Sequence, residues 1–149
     1  MTAPRSARAI ASTPAGAWLL VRMLAWAAAL PVLKRVLPLP TVVKLAARPR
    51  ASHRYANREQ EVAALARWLY ARRPVRDDNC LERSLVTYRF LSERGADPVL
   101  AIGVRKGADG VLGHAWVTVD GEPVYETPDE LVDYATVVTF RADGARDSA

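Results

Sequence analysis

The sequence predicts an α+β fold in which helices come first and an antiparallel sheet follows. Up to Gly95 the apolar residues recur at spacings of three and four, the period of helices with one buried face. Beyond Gly95 the apolar runs are short, rich in Val, Ile and Thr, and bounded by Gly, Asp and Pro, the pattern of strands and tight turns. The chain has 149 residues, half of them hydrophobic and a quarter charged. That suits one domain whose core needs neither metal nor disulfide to fold.

The front third is apolar and basic. Residues 1–50 hold eight Lys or Arg and no acidic residue, whereas the remainder holds 13 basic and 16 acidic ones. The net charge of +5 therefore belongs to the front. Such asymmetry suits an acidic partner or an anionic membrane surface. Nucleic acid is the weaker reading, because these basic residues lie among Leu, Val and Trp and form no polar arm.

Leu19, Met23, Trp26, Leu30 and Leu33 share one helical face. Pro31 is expected to bend or end that helix, Pro38-Leu39-Pro40 to stop regular structure, and Thr41 to open a short basic turn through Ala47. A membrane span needs about 20 mostly apolar residues. Ala17 to Leu33 falls short of that, and Arg22 inside it argues against both a span and a secretory signal. A cytoplasmic location is the expectation, with membrane contact the lesser alternative. The segment 1–50 either covers the core of a domain at 51–149 or docks another protein.

Residues 49–54 read as a linker. From Asn57 to about Arg72, Val62, Leu65 and Leu69 set a helical stripe with Trp68 beside it, and Pro74 follows as a stop. Asp77-Asp78-Asn79 offers three capping residues, and Cys80 opens the next helix. Leu81, Leu85, Tyr88 and Leu91 form its apolar stripe, and Gly95 closes it. Strands are expected over 99–105, 112–119, 123–126 and 136–140.

The candidate chemistry lies in Cys80, His114 and a carboxylate. A lone cysteine excludes an intrachain disulfide, and with only His53 and His114 beside it no metal is expected. No GxxxxGK[ST] or GxGxxG run supports a nucleotide cofactor. At a helix start, orphan N–H groups and the dipole favour a thiolate and can also hold an oxyanion. Asp77 and Asp78 oppose that effect, and a buried structural cysteine is the alternative. Alternation puts Leu112, His114, Trp116 and Thr118 on one face of a strand, with small neighbours Gly113 and Ala115 leaving room beside the imidazole. His114 is then either a bonded sheet residue or the partner of a cysteine nucleophile.

Cys80-Leu81-Glu82-Arg83-Ser84-Leu85 opening a helix, Gly113-His114-Ala115-Trp116-Val117 on a strand, and an acidic residue beyond Asp120-Gly121 resemble the transglutaminase-like cysteine peptidases. Within them the motifs are most similar to the stand-alone leader peptidases of lasso-peptide maturation. The resemblance spans about residues 60–140 and implies a papain/transglutaminase-like fold. It implies Cys80 as nucleophile, His114 as base and an acid twelve positions beyond the His, which here is Glu126 where the family has Asp. Arg83 is expected to brace a carboxylate, Trp116 to pack in the core, and Asn79 to support the nucleophile's helix start. The implied substrate is a ribosomally made precursor peptide, cut at its leader–core junction through an acyl-thioester. Implied partners are a separate small leader-binding protein and the downstream cyclase. Aminoacyl transfer in place of hydrolysis, and a non-catalytic membrane-apposed adaptor, stand as alternatives.

Hairpin geometry sharpens the assignment of Glu126. A two-residue turn at Asp120-Gly121 pairs Val119 with Glu122 and Ala115 with Glu126, on the face away from His114. A three-residue loop with a bulge at Gly121 sets His114 opposite Glu126, with Cβ atoms about 5 Å apart. The expectation is the bulged register. Asp120 lies too far along the strand to substitute, and Asp129 or Asp133 would serve only if the next segment folds back.

Overall fold

The computed structural model describes residues 6–48, 52–71 and 79–148. Its front third forms α1 (Ala7–Ala11), α2 (Pro14–Val36) and α3 (Leu39–Ala46), followed by α4 (Ala56–Ala71) and α5 (Asn79–Glu93). Then come β1 (Pro98–Gly107), β2 (Gly110–Val119), β3 (Glu122–Pro123), α6 (Pro128–Leu131), β4 (Ala135–Phe140) and β5 (Arg146–Ser148). All five strands join one antiparallel sheet in the order β3-β2-β1-β4-β5. The class is α+β, with an apolar N-terminal helix ahead of the sheet. The expected caps Asp77 and Asp78, the stop at Pro74 and the linker residues 49–51 lie outside the described residues, as does the Asn79 side chain.

Helix α5 sits at the centre. A stripe of Leu81, Leu85, Tyr88 and Leu91 describes a helix with one wet side, yet Ser84, Val86, Thr87, Phe90 and Ser92 are also buried. Helices α2, α3 and α4 pack around it, and β1 and β2 close the remaining side. Its small polar residues fit this setting by bonding backward along the helix: Thr87 to the Arg83 carbonyl and Ser92 to the Tyr88 carbonyl, both at 2.8 Å. Gly95 ends the helix with a φ of 80°. The Ala96 N–H donates to the Leu91 carbonyl and the Gly95 N–H to that of Ser92, the paired bonds of a Schellman motif.

Pro31 neither ends nor bounds α2, which runs on to Val36. A proline inside a helix removes one backbone bond and costs about 3 kcal/mol. Fully buried Leu30 and half-buried Leu33, on either side of it, offset that cost. Pro38-Leu39-Pro40 likewise starts α3 instead of stopping structure, because a proline in the first helical turn lacks only an N–H that would have no partner there. Leu19, Met23, Ala27 and Leu30 are buried in the same core as α4 and α5, with Trp26 and Leu33 packed at its margin. Arg22 donates to both Glu93 oxygens at 2.8 Å, and Lys34 pairs with Glu82 at 2.9 Å, so α2 holds α5 near both ends. The Arg89 guanidinium lies 4.2 Å from the Trp26 ring centre. Helix α2 is long and apolar enough to cross a bilayer, with a mean hydropathy of 1.7. Its outward side carries exposed Trp18, Val21, Leu24 and Val32.

Leu100, Val117 and Phe140 stand level across the sheet and join the helical core. His114 and Trp116 have the opposite parity on β2, as the alternation predicts. Gly103 sits opposite His114, and a Cβ there would come within 2.8 Å of the Trp116 ring. The β2–β3 turn differs from the expected bulge. Asp120 and Gly121 have φ of 54° and 83°, and Val119 pairs with Glu122 and Thr118 with Pro123. This is the tight two-residue Asp-Gly hairpin. The pairing is short, covering 122–123 where a strand to 126 is expected, and it ends with the Val124 N–H on the Val117 carbonyl at 2.9 Å.

Candidate active site

Three elements converge: the start of α5, the middle of β2, and the stretch after β3. The register alone would carry Glu126 to the far face of the hairpin. The ladder stops first, and α5 then redirects the chain. Arg83 is hydrogen-bonded to Glu126 Oε1. One turn on, the Thr87 and Tyr125 hydroxyls are 2.7 Å apart, and the Arg83 guanidinium lies 4.7 Å from the Tyr125 ring centre. Glu126 thereby comes within 3.0 Å of His114 Nε2. The register expectation was wrong, and the juxtaposition it was meant to explain arises from helix-to-loop contacts that strand geometry does not contain.

With Nε2 engaged by the carboxylate, Nδ1 is the nitrogen left for the thiol. The Cys80 thiol and the His114 imidazole lie close enough that each shifts the proton affinity of the other. Cys80 is half-buried. Burial pushes its thiol pKa up, but the His114 bond, the Ala115 N–H, the His114 charge and the Leu81 N–H together hold it below the ordinary value. His114 moves the other way. Its bonds to Cys80 and Glu126 raise it to about 9 against the opposing effect of burial. The two protons belong to one coupled pair, whose favoured form is thiolate and imidazolium.

The helix and strand are fastened beside the sulfur. The Ser84 hydroxyl donates to the Ala115 carbonyl at 2.9 Å while the Ala115 N–H faces the thiol. Both groups of Ala115 point away from β1, because Val117, of the same parity, turns its carbonyl to Val124. Tyr134, absent from the sequence-level candidates, packs 5.3 Å from the His114 ring centre and 6.2 Å from that of Trp116, and its hydroxyl bonds Arg105 Nε at 3.0 Å. Trp116 is buried against Gly103 and stacks 6.1 Å from His114. A single tyrosine in a stretch without regular alternation gave no signal of this role.

A cleft of about 530 Å³ opens onto the acid–imidazole end of the chain, lined by Arg83, Arg105, His114, Glu126, Asp133 and Tyr134. Asp129 also borders it, while Glu130 is drawn back to Thr127 in a capping box. Asp120 pairs with Arg54 at 2.7 Å at the far end of the hairpin. Among the described residues no three His, Cys, Asp or Glu side chains are grouped to hold a metal.

The profile of the Transglutaminase-like superfamily matches residues 17–139. The chain belongs to that superfamily. The match starts in α2, well ahead of the motif residues, which agrees with the shared core of α2 and α5. Members of this superfamily are typically cysteine proteases or acyltransferases, and this transglutaminase-like chain offers one thiol for such chemistry. No curated protein and no solved structure matches it.

Proposed function

We propose that this transglutaminase-like chain is a cysteine peptidase that removes the leader from a ribosomally made lasso-peptide precursor. The single observation that carries the peptidase reading is the continuous link from Cys80 through His114 to Glu126. In it His114 holds the Cys80 proton, and the thiolate attacks the carbonyl of the leader–core bond. The amine of the core leaves with a proton from the imidazolium, and water then releases the leader from the thioester. Glu126 orients the imidazole and favours its charged form, and Arg83 fixes Glu126. The Cys80 main-chain N–H, at the start of α5, is the assigned oxyanion donor. The choice of substrate is supported by the motifs Cys80-Leu81-Glu82-Arg83-Ser84 and His114-Ala115-Trp116-Val117, which resemble the leader peptidases.

In this reading a separate small protein presents the leader, and the product passes to a cyclase, in the cytoplasm. The test mixes the chain with the precursor and the leader-binding protein and follows free leader by mass spectrometry. Wild type is expected to release it, and Cys80→Ala and His114→Ala are not. Cleavage that survives Cys80→Ala overturns the reading. Added primary amines turning up on the leader's new C-terminus would assign aminoacyl transfer instead.

A further inference from the structure

The outward main-chain groups of β2 form one row, and its occupants change along the strand. Val119 pairs with Glu122, Val117 accepts from Val124, and Ala115 meets Ser84 and Cys80. The next two members, Gly113 and Val111, have no hydrogen-bond partner on that side among the described residues. An open sheet edge is a template for another strand, and edges are ordinarily blunted with charge, proline or a covering element. Gly110-Val111-Leu112-Gly113 contains neither charge nor proline. Val111 is 73 % and Leu112 47 % exposed, and the space where a Gly113 side chain would stand is empty.

The geometry points to this edge as the binding site for the acyl side of an extended peptide substrate, whose main chain pairs with Val111 and Gly113. The inference rests on the peptidase reading and specifies how the substrate is held. A strand rises about 3.3 Å per residue, so Gly113 lies roughly 7 Å from Ala115 along the edge. A peptide running parallel to β2 through Val111 and Gly113 therefore brings its next carbonyl to the Cys80 sulfur. The acyl side stays attached to the enzyme through both half-reactions, so holding it aligns both. Recognition through main-chain bonds leaves substrate side chains to be selected by exposed Leu112 and the cleft beyond His114.

The test uses a mixed-sequence pool of tripeptidyl acyloxymethyl ketones, in which the Cys80 sulfur forms a bond to the methylene carbon and a carboxylate leaves. Labelling is read by intact mass and compared with a single-residue ketone and with iodoacetamide. Wild type is expected to react about tenfold faster with the tripeptide pool than with the single-residue reagent, the worth of one or two main-chain bonds. Gly113→Pro and Val111→Pro remove outward N–H groups without touching the β1 ladder. Each is expected to abolish most of that advantage, whereas Val111→Ala keeps it. Iodoacetamide rates are expected to stay at the wild-type value throughout. N-methylation of the tripeptides should give the same loss on the unaltered enzyme, which covers a variant that fails to fold.

A tripeptide advantage that persists in both proline variants and after N-methylation overturns the edge assignment and leaves the peptidase reading intact. So does a wild type with no tripeptide advantage, including the case in which Val111→Pro converts a dimer to monomer in sedimentation. A Cys80 that reacts with iodoacetamide no faster than a free thiol at neutral pH overturns the peptidase reading, and the edge assignment goes with it.

Discussion

Arg83 and His114 bind the same oxygen of Glu126, Oε1, while Oε2 is buried and has no hydrogen-bond partner among the described residues. The carboxylate is thus held at one point, between a permanent charge from the helix and a titratable one from the sheet. Its orientation depends on Arg83, and the orientation of the imidazole depends on it. The arrangement places a positioning residue two steps from the sulfur, on the same helix as the sulfur.

Glu126→Gln keeps the shape and removes the charge. Leader release is expected to fall about 10- to 100-fold, less than the roughly 10²–10⁴-fold that general acid–base catalysis supplies, because the imidazole itself remains. The His114 pKa is expected to drop from its value of about 9. NMR titration of the imidazole checks this, and an unchanged His114 titration would count against Glu126 as its partner.

Arg83→Met is expected to act on both stability and reactivity. It leaves a carboxylate that is only 8 % exposed with one donor fewer. The cost is expected to be about 2 kcal/mol, below the roughly 3–5 kcal/mol of breaking a fully buried ion pair, because Arg83 itself is partly wet. Urea melts and the Cys80 alkylation rate check it together. Loss of stability with an unaltered alkylation rate would make Arg83 merely structural.

The pH dependence has a worked sign. The reactive pair exists as thiolate and imidazolium above the lowered pKa of Cys80 and below the raised one of His114. Peptide turnover is therefore expected to decline on the alkaline side near pH 9, as the imidazolium that protonates the leaving amine is lost. Alkylation, which needs only the thiolate, is expected to persist below the pH at which a free cysteine stops reacting. For stability, the raised His114 contributes fully below its ordinary pKa of about 6.5 and loses that contribution as pH rises through 9. Rate profiles of wild type against His114→Ala test this, and superimposed alkylation profiles would sink the coupled pair.

Gly103→Ala puts a methyl group within 2.8 Å of the Trp116 ring and of the Ala135 carbonyl. Because Trp116 stacks on His114, the expected result is a tilted imidazole and a severalfold loss of rate, with a stability cost of about 1–3 kcal/mol from overpacking. The Trp fluorescence spectrum and the melting midpoint report the two effects separately.

Met23→Ala probes whether the front helices belong to the fold. Met23 is fully buried where α2 meets the core. The expected loss is about 2–5 kcal/mol, the range for truncating such a side chain. A melt indistinguishable from wild type would make α2 a detachable appendage.

Much of this molecule was legible in the sequence. The change of hydrophobic period after Gly95 marked the passage from helices to sheet, and Gly95 itself marked the end of α5. The alternation through Leu112–Thr118 assigned His114 and Trp116 to one parity. Local rules failed where tertiary contacts overrode them. Pro31 reads as a boundary, but burial of the turns on either side carries the helix through it. Glu126 reads as a matter of strand register, but Arg83 and Thr87 draw its segment off the ladder. Tyr134 was invisible because its role depends on the return of β4 beside β1, and pairwise spacing along the chain carries no trace of that. The approach of Cys80 to His114 is likewise a property of packing, which the order of motifs along the chain does not contain.

The Ala115 peptide unit is clamped on both its polar atoms by α5, through Ser84 and Cys80. The Ser84 bond therefore ties the two layers together directly beside the reagent. Slippage of helix against sheet would extinguish reactivity before the chain melts. Deleting the Ser84 hydroxyl would test that joint with the sulfur untouched, so the melting curve of Ser84→Ala belongs beside its activity.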